Sequence, residues 1–448
     1  MIPLTSDRRC PILLPAGRPL HGGLHRMTEV SKPAAPTRGA ARSLLQGDDV
    51  VEKSGGAEST RHQFRPDIEG MRAIAVGLVI LFHAFNKPFT GGYVGVDIFF
   101  VISGFLITSL LLREQIRDGR ISISGFYARR VRRILPAATL VVLITLLASY
   151  YWLGFITGNS VAGDAKWTAI FAANIHFGMV RTEYFGAQLP PSPLQHMWSL
   201  GVEEQFYLVW PGVFLILFLL ARGRHHRNVL AGALSLVIAA SLTWSVIQTA
   251  VNQTWAYFSP LTRAWELALG ALVAVLAPTI AGIGRSWAPQ VLALAASAGI
   301  ALSAVLFTSD TRYPGSAVTL PVVGTALLIA AGCANERTFV GRALSARPMQ
   351  WVGARSYSLY LWHWPLLTIP AQYATKELSA LENTGWVLLT IVASAISYRF
   401  MENPVRRATV LRNHTGLTLA LGAILVVLTI FVAQWQIALH YGTWNVLF

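Results

Sequence analysis

The stretch Phe64-Arg65-Pro66-Asp67-Ile68-Glu69-Gly70-Met71-Arg72-Ala73-Ile74-Ala75-Val76-Gly77-Leu78-Val79-Ile80-Leu81-Phe82-His83-Ala84-Phe85 decides how the rest of the chain is read. It is the first strongly apolar run, it opens with charges, and it carries a histidine near its far end. Eleven steps separate Arg72 from His83. At about 100° and about 1.5 Å per residue, the two fall about 20° apart and about 16 Å along one helix. The cation and the imidazole therefore look out from the same face at opposite depths. An ionisable side chain inside an apolar helix of this kind marks a functional site.

Composition places that helix in a membrane. The chain has 448 residues, 54% of them hydrophobic and only 13% charged, with a mean hydropathy of +0.50. A soluble globule carries about a quarter charged residues. The expected class is therefore an all-α polytopic membrane protein. Cys10 lies in the N-terminal tail and Cys333 in an apolar run, a setting that disfavours pairing, and neither has metal-ligand spacing around it. Redox chemistry and structural zinc are set aside, and no metal site is expected. The net charge of +15 could suggest nucleic acid. Its Lys and Arg residues sit mostly in short segments between apolar runs, the mark of cytoplasmic loops, rather than clustered on a soluble domain.

Residues 1–63 are rich in Pro, Gly and Arg with few aromatics, which predicts a disordered tail. Pro3 to Leu14 is too broken to be a signal-peptide core, and Met27 offers a second start. Windows of about 20 apolar residues predict eleven membrane helices, near 67–86, 93–112, 134–153, 200–221, 229–250, 260–279, 287–307, 317–334, 356–371, 384–401 and 416–437. With the tail inside, the loops on its side hold most of the arginines, among them Arg222, Arg224 and Arg285. The opposite side has only Lys87, Lys166, Arg181, Arg263, Arg312 and Lys376. The positive-inside rule thus predicts a cytoplasmic N-terminus. Residues 154–199 form the longest insert, in which Lys166 to Val180 predicts a short interfacial or re-entrant helix. No internal repeat is visible, which disfavours the inverted-repeat transporters.

Five motifs in order carry a family resemblance. They are the opening stretch with His83; Gly91-Gly-Tyr-Val-Gly-Val-Asp97 running to Phe105; Phe126-Tyr-Ala-Arg129-Arg130-Val-Arg132-Arg133 to Pro136; Trp198-Ser-Leu-Gly-Val-Glu203-Glu-Gln-Phe-Tyr207; and Ser356-Tyr-Ser-Leu-Tyr-Leu-Trp-His363-Trp-Pro365. From Phe64 to Arg407 the chain resembles the acyltransferase-3 family of bacterial membrane O-acyltransferases. The resemblance implies a ten-helix acyltransferase core over residues 64–408, with residues 409–448 as an additional helix and short extracytoplasmic end. It also implies an acyl group, acetyl above all, taken from cytoplasmic acyl-CoA (acetyl-CoA) and an extracytoplasmic saccharide or glycolipid acceptor. Acyl-CoA would be a substrate, not a resident cofactor. The arginine and histidine of the first helix, the family's functional signature, are Arg72 and His83 here.

The residues themselves suit those roles. A cation low and a base high on one face fit a donor whose phosphates and thioester lie at opposite ends of an extended arm. Histidine switches charge near neutral pH and can take a proton from an attacking hydroxyl, although near a helix end it could simply cap. Arg129, Arg130, Arg132 and Arg133 either hold CoA phosphates through their guanidinium forks or anchor the loop to anionic lipid. Asp97 lies mid-run and needs a partner: it pairs with an arginine by preference or orients an imidazole, and with His363 and Trp198 it is a candidate substrate contact. Glu203, seven residues after His196 and one turn before Tyr207, either supports the imidazole, binds the acceptor, or anchors at the interface beside Trp198. Arg263 and Glu266 read as a self-neutralising pair. His363 either touches substrate or is satisfied by Tyr357 or Tyr360. Glu402, ahead of Asn403-Pro404, reads as a helix end.

Some relatives continue into an extracytoplasmic esterase-like domain, and this chain has no Gly-Asp-Ser stretch. The expectation is that the domain is absent or truncated and that a separate extracytoplasmic transferase completes the modification. Two rival readings stand beside the enzyme: a secondary transporter or flippase of a glycan or lipid precursor, and an acyl-relay subunit.

Overall fold

Pro66 occupies the first turn of the opening helix, where its missing N–H is not needed, and Asp67 and Glu69 place negative charge at the positive end of the helix dipole. The resulting helix, α1 (Pro66–Phe85), carries both Arg72 and His83 without interruption. The computed structural model describes residues 64–85, 87–180, 190–221, 225–282 and 287–441. The expectations for the tail, for Arg181, Arg222, Arg224 and Arg285, and for the C-terminal end beyond Tyr441 lie outside the described residues.

After α1 come α2 (Gly95–Asp118), α3 (Ile123–Ala169), α4 (Ala173–Met179), α5 (Met197–Leu220), α6 (His226–Val251), α7 (Gln253–Phe258) and α8 (Pro260–Ala281). Then follow α9 (Ala288–Leu306), α10 (Thr319–Ala334), α11 (Phe339–Leu344), α12 (Arg347–Ala354), α13 (Ser356–Ala374) and α14 (Ala380–Ser397). A π-helical turn (Tyr398–Glu402) leads to α15 (Asn403–Arg407), α16 (Thr409–Asn413) and α17 (Thr415–Tyr441). No strand occurs among the described residues. Each of the eleven expected spans falls on a helix. Among the described residues nine helices are long and apolar enough to cross a membrane. The other two are α10, apolar but shorter, and α13, whose Tyr, Trp, His and Pro residues dilute it. The protein is an all-α, multi-pass membrane protein.

Helix starts follow their capping chemistry. Ser122 accepts the amide of Gly125 at the head of α3, Ser259 precedes Pro260 at the head of α8, and Ser379 and Glu382 form a reciprocal capping box on α14. The third span runs further than expected. α3 continues past Gly154, whose φ of 81° and ψ of 169° break the helical path in a conformation that glycine alone adopts at little cost. The helix expected over 166–180 is therefore two pieces, the later limb of α3 and α4. That limb and α17 lie together, and Gln436 donates to the Gly158 carbonyl at 2.8 Å.

Two glycines bring α2 against α8. A Cβ on Gly104 would lie 1.9 Å from the Leu267 carbonyl oxygen, and one on Gly270 would lie 1.9 Å from that of Val101. No side chain fits there, so the two backbones touch. α1 lies against α2, α12, α13 and α14, which places its polar face inside the bundle.

Candidate active site

At the far end of α1, His83 meets the middle of α13. Its Nδ1 lies 3.1 Å from Nε2 of His363, and the two rings stack with centroids 5.2 Å apart. Trp364 sets its edge on the His83 ring at 4.6 Å, and its own Nε1–H donates to the Ser192 carbonyl at 2.8 Å. His363 is fully buried, and its Nδ1 is 2.6 Å from the carbonyl oxygen of Tyr360, one turn back. Of the alternatives open in the sequence, Tyr360 thus satisfies His363, through its backbone.

A third imidazole joins through a gap in the helix ladder. Pro365 has no N–H, so the Leu361 carbonyl loses the donor that residue four places on would normally supply. Nε2 of His196, at the start of α5, lies 3.2 Å from that carbonyl, and the His196 ring meets His363 edge-on at 5.6 Å. Tyr360 closes the group. Its hydroxyl donates to the His196 carbonyl at 2.9 Å and shares a 2.6 Å hydrogen bond with Ser199.

At the other end of α1, Arg72 lies 3.2 Å from Glu69. The four arginines of α3 divide by partner. Arg129 pairs with Glu114 at 2.6 Å, and Arg132 donates to the Leu411 carbonyl at 3.0 Å. Arg130 and Arg133, likewise three apart, turn inward. Arg130 lies over the Tyr207 ring at 3.9 Å, and Arg133 is within electrostatic reach of Arg72, Arg130, Tyr207 and Glu402. Glu203 accepts a hydrogen bond from Ser103 at 2.9 Å and a longer one from Tyr207 at 3.4 Å, with Arg130, Arg133 and Arg72 around it. The structure thus places Glu203 among the arginines, and no bond joins it to His196, its neighbour on the helix face. Glu402 sits in the π-helical turn, buried, and accepts from Ser358 at 2.7 Å. It is more than a helix end, because the extra residue of such a turn redirects the side chains around it.

Asp97 and Trp198 belong to a third group. Arg263 donates to Asp97 at 2.8 Å and to Glu266 at 3.1 Å, all three residues at most 1% exposed. The Tyr313 hydroxyl donates to the other Asp97 oxygen. The guanidinium faces the rings of Trp198, Tyr257 and Tyr313. Asp97 has the arginine partner expected of it, and the pair read as Arg263 with Glu266 is a three-residue network.

The fold therefore unites His83 with His363, and Arg72 with Arg130, Arg133 and Glu203. It turns Arg129 and Arg132 elsewhere and assigns Asp97 and Trp198 to the Arg263 network. The sequence gives His196 no role beyond its spacing from Glu203 and reads Glu402 as a helix end. For His196 the signal was Pro365, which opens a carbonyl four residues earlier; for Glu402 it was an acid closing an otherwise apolar span. The role of the Tyr360 carbonyl had no signal in the sequence, since any residue would supply one.

A family described as an acyltransferase domain matches residues 65–402. YrhL of Bacillus subtilis is 33% identical over 368 residues, covering 78% of this chain and 56% of the relative. The peptidoglycan O-acetyltransferase OatA of Listeria monocytogenes is 30% identical over 359 residues, covering 77% and 56%. The O-acetyltransferase OatA of Staphylococcus aureus is 32% identical over 356 residues, covering 77% and 58%. The chain spans a little over half the length of these curated relatives. No solved structure matches it.

Proposed function

The chain belongs to this acyltransferase family, and from that premise we propose that it is a membrane O-acetyltransferase of a cell-envelope saccharide, with acetyl-CoA in the cytoplasm as donor. The observation that carries the reading is that one uninterrupted helix, α1, brings His83 to His363 of α13 at one end and Arg72 to Arg130 and Arg133 at the other.

The two ends divide the labour. Arg72, Arg130 and Arg133 offer guanidinium forks to the phosphates of CoA, while Glu69 and Glu203 hold them in place until the donor binds. At the imidazole end, an acceptor hydroxyl gives its proton to His83 as its oxygen attacks the acetyl carbonyl. A C–O bond forms and the C–S bond breaks. The imidazolium returns the proton to the departing thiolate, so the products are an acetyl ester and free CoA thiol. Positioned acid–base catalysis of this kind contributes about 10²–10⁴-fold. The excess of arginine on the loops at the Arg72 end supports a cytoplasmic donor side, and the relatives named for peptidoglycan support a polymer of the envelope as acceptor. A separate extracytoplasmic transferase would take over where the acceptor lies beyond reach of the membrane.

The test supplies radiolabelled acetyl-CoA to inside-out vesicles and follows label into envelope glycan by mass and counting. Label should enter the glycan and vanish with His83→Ala. Gradient-driven movement of a glycan or lipid precursor with no label transfer would refute the enzyme and favour the transporter.

A further inference from the structure

Two imidazoles in contact raise the question of which one is the base and what the other does. The hydrogen-bond partners answer it by elimination. The Tyr360 carbonyl can only accept, so the nitrogen 2.6 Å from it, Nδ1 of His363, carries a hydrogen. In its neutral form His363 then has a lone pair at Nε2 alone. Nδ1 of His83, 3.1 Å from that lone pair, must be the donor. A neutral His83 with hydrogen on Nδ1 has its lone pair on Nε2. The order is Tyr360 C=O, H–Nδ1 His363 Nε2, H–Nδ1 His83, and finally the basic Nε2 of His83.

We propose that His363 is a positioning residue, which fixes His83 in the Nδ1–H tautomer and stabilises the imidazolium that forms when Nε2 takes the acceptor's proton. This rests on the reading of His83 as the base. Once His83 is protonated, its Nδ1–H bond to His363 becomes charge-assisted, and such bonds are roughly twice as strong as neutral ones. The interaction is thus stronger in the transition state than in the ground state, which is the condition for raising kcat rather than substrate affinity. His363 can serve in this way because α13 holds it rigidly. It is fully buried, anchored through Nδ1, flanked by Trp362 bonded to Ser397 at 2.7 Å and by Trp364 bonded to the Ser192 carbonyl, and backed by His196.

Side-chain replacements separate positioning from mere structure. Glutamine reaches the place of the histidine Nε2 and can accept from His83 while donating to Tyr360; asparagine reaches only the place of Nδ1; phenylalanine keeps the shape and offers neither. The chain in detergent micelles, which open both faces to labelled acetyl-CoA and to a soluble peptidoglycan fragment as the probe acceptor, is assayed for kcat and KM. We expect His363→Phe and His363→Asn to lower kcat about 10²-fold, with both KM values within about twofold, and His363→Gln to return to within about fivefold of the unaltered protein. A fully active His363→Phe beside an inactive His83→Ala overturns the proposal and leaves the base intact. A His363→Gln variant as slow as His363→Asn overturns it too, and decides the matter even where the Phe variant fails to fold. An active His83→Ala removes the base and this proposal with it.

Discussion

Replacing Arg263 by methionine tests how the interior polar groups hold the bundle. The guanidinium is 1% exposed and bridges Asp97 and Glu266, at 2.8 and 3.1 Å, while its Nε donates to the Tyr257 carbonyl at 3.2 Å. Methionine keeps most of the volume under the Trp198, Tyr257 and Tyr313 rings but leaves two buried carboxylates facing each other without a cation. Breaking a buried pair from one side costs about 3–5 kcal/mol, far more than the pair contributes when intact. Changing Asp97→Asn in the same chain removes one orphaned charge, so the double variant should recover about 1–3 kcal/mol relative to the sum of the single changes. The assay is SDS-driven unfolding in detergent micelles followed by tryptophan fluorescence, which with 14 tryptophans in the chain reports the whole bundle. An Arg263→Met protein within about 1 kcal/mol of the unaltered one, or strict additivity in the double variant, would show that the network is not a charge balance.

Three further outcomes follow from the geometry. Gly270→Val drives a branched side chain into the Val101 carbonyl, 1.9 Å from where its Cβ would lie, so α2 and α8 must part and the variant should run aggregated on size exclusion. Arg133→Ala should raise the KM for acetyl-CoA about tenfold with kcat little changed, whereas Arg132→Ala, at the arginine that donates to the Leu411 carbonyl, should leave both within about twofold in initial-rate measurements. Because the base must begin unprotonated, kcat/KM should fall as pH is lowered through the titration of the imidazole; a profile that rises toward acid would contradict its role.

Which parts of this were legible in the sequence follows from the range of each signal. The eleven spans were, because hydropathy is summed over a whole window and survives local irregularity. Gly154 was not, since nothing in its neighbours says that its φ is positive, and the helix was accordingly expected to end there. Arg72 and His83 were placed on one face because a single helix has one period. Their partners come from helices 280 residues apart in the case of His83 and His363, and no period reaches that far. Helix period alone could not sort the four α3 arginines, since Arg129 has both Arg132 and Arg133 as neighbours on its face. Which pair faces inward depends on α5 and α17, whose positions are tertiary facts. Glu203 was placed beside His196 by helix spacing alone, yet the two look to different neighbours: Ser103 on α2 draws one, and the carbonyl exposed by Pro365 draws the other.

That separation bears on how the imidazole end works. A carboxylate against a histidine favours its charged form, and an imidazole already protonated at rest has no lone pair with which to take a proton. His363 and His196 are held instead by the backbone carbonyls of Tyr360 and Leu361, dipoles that fix a tautomer and an orientation without adding a full negative charge. The carboxylate Glu203 is kept among Arg72, Arg130 and Arg133. There its neighbours are guanidinium groups rather than an imidazole. One helix therefore carries an arginine and carboxylate end and an imidazole end, about 16 Å apart. Pro365 belongs to the same device. By removing one amide it turns a helix carbonyl into the anchor of His196, whose ring in turn backs His363.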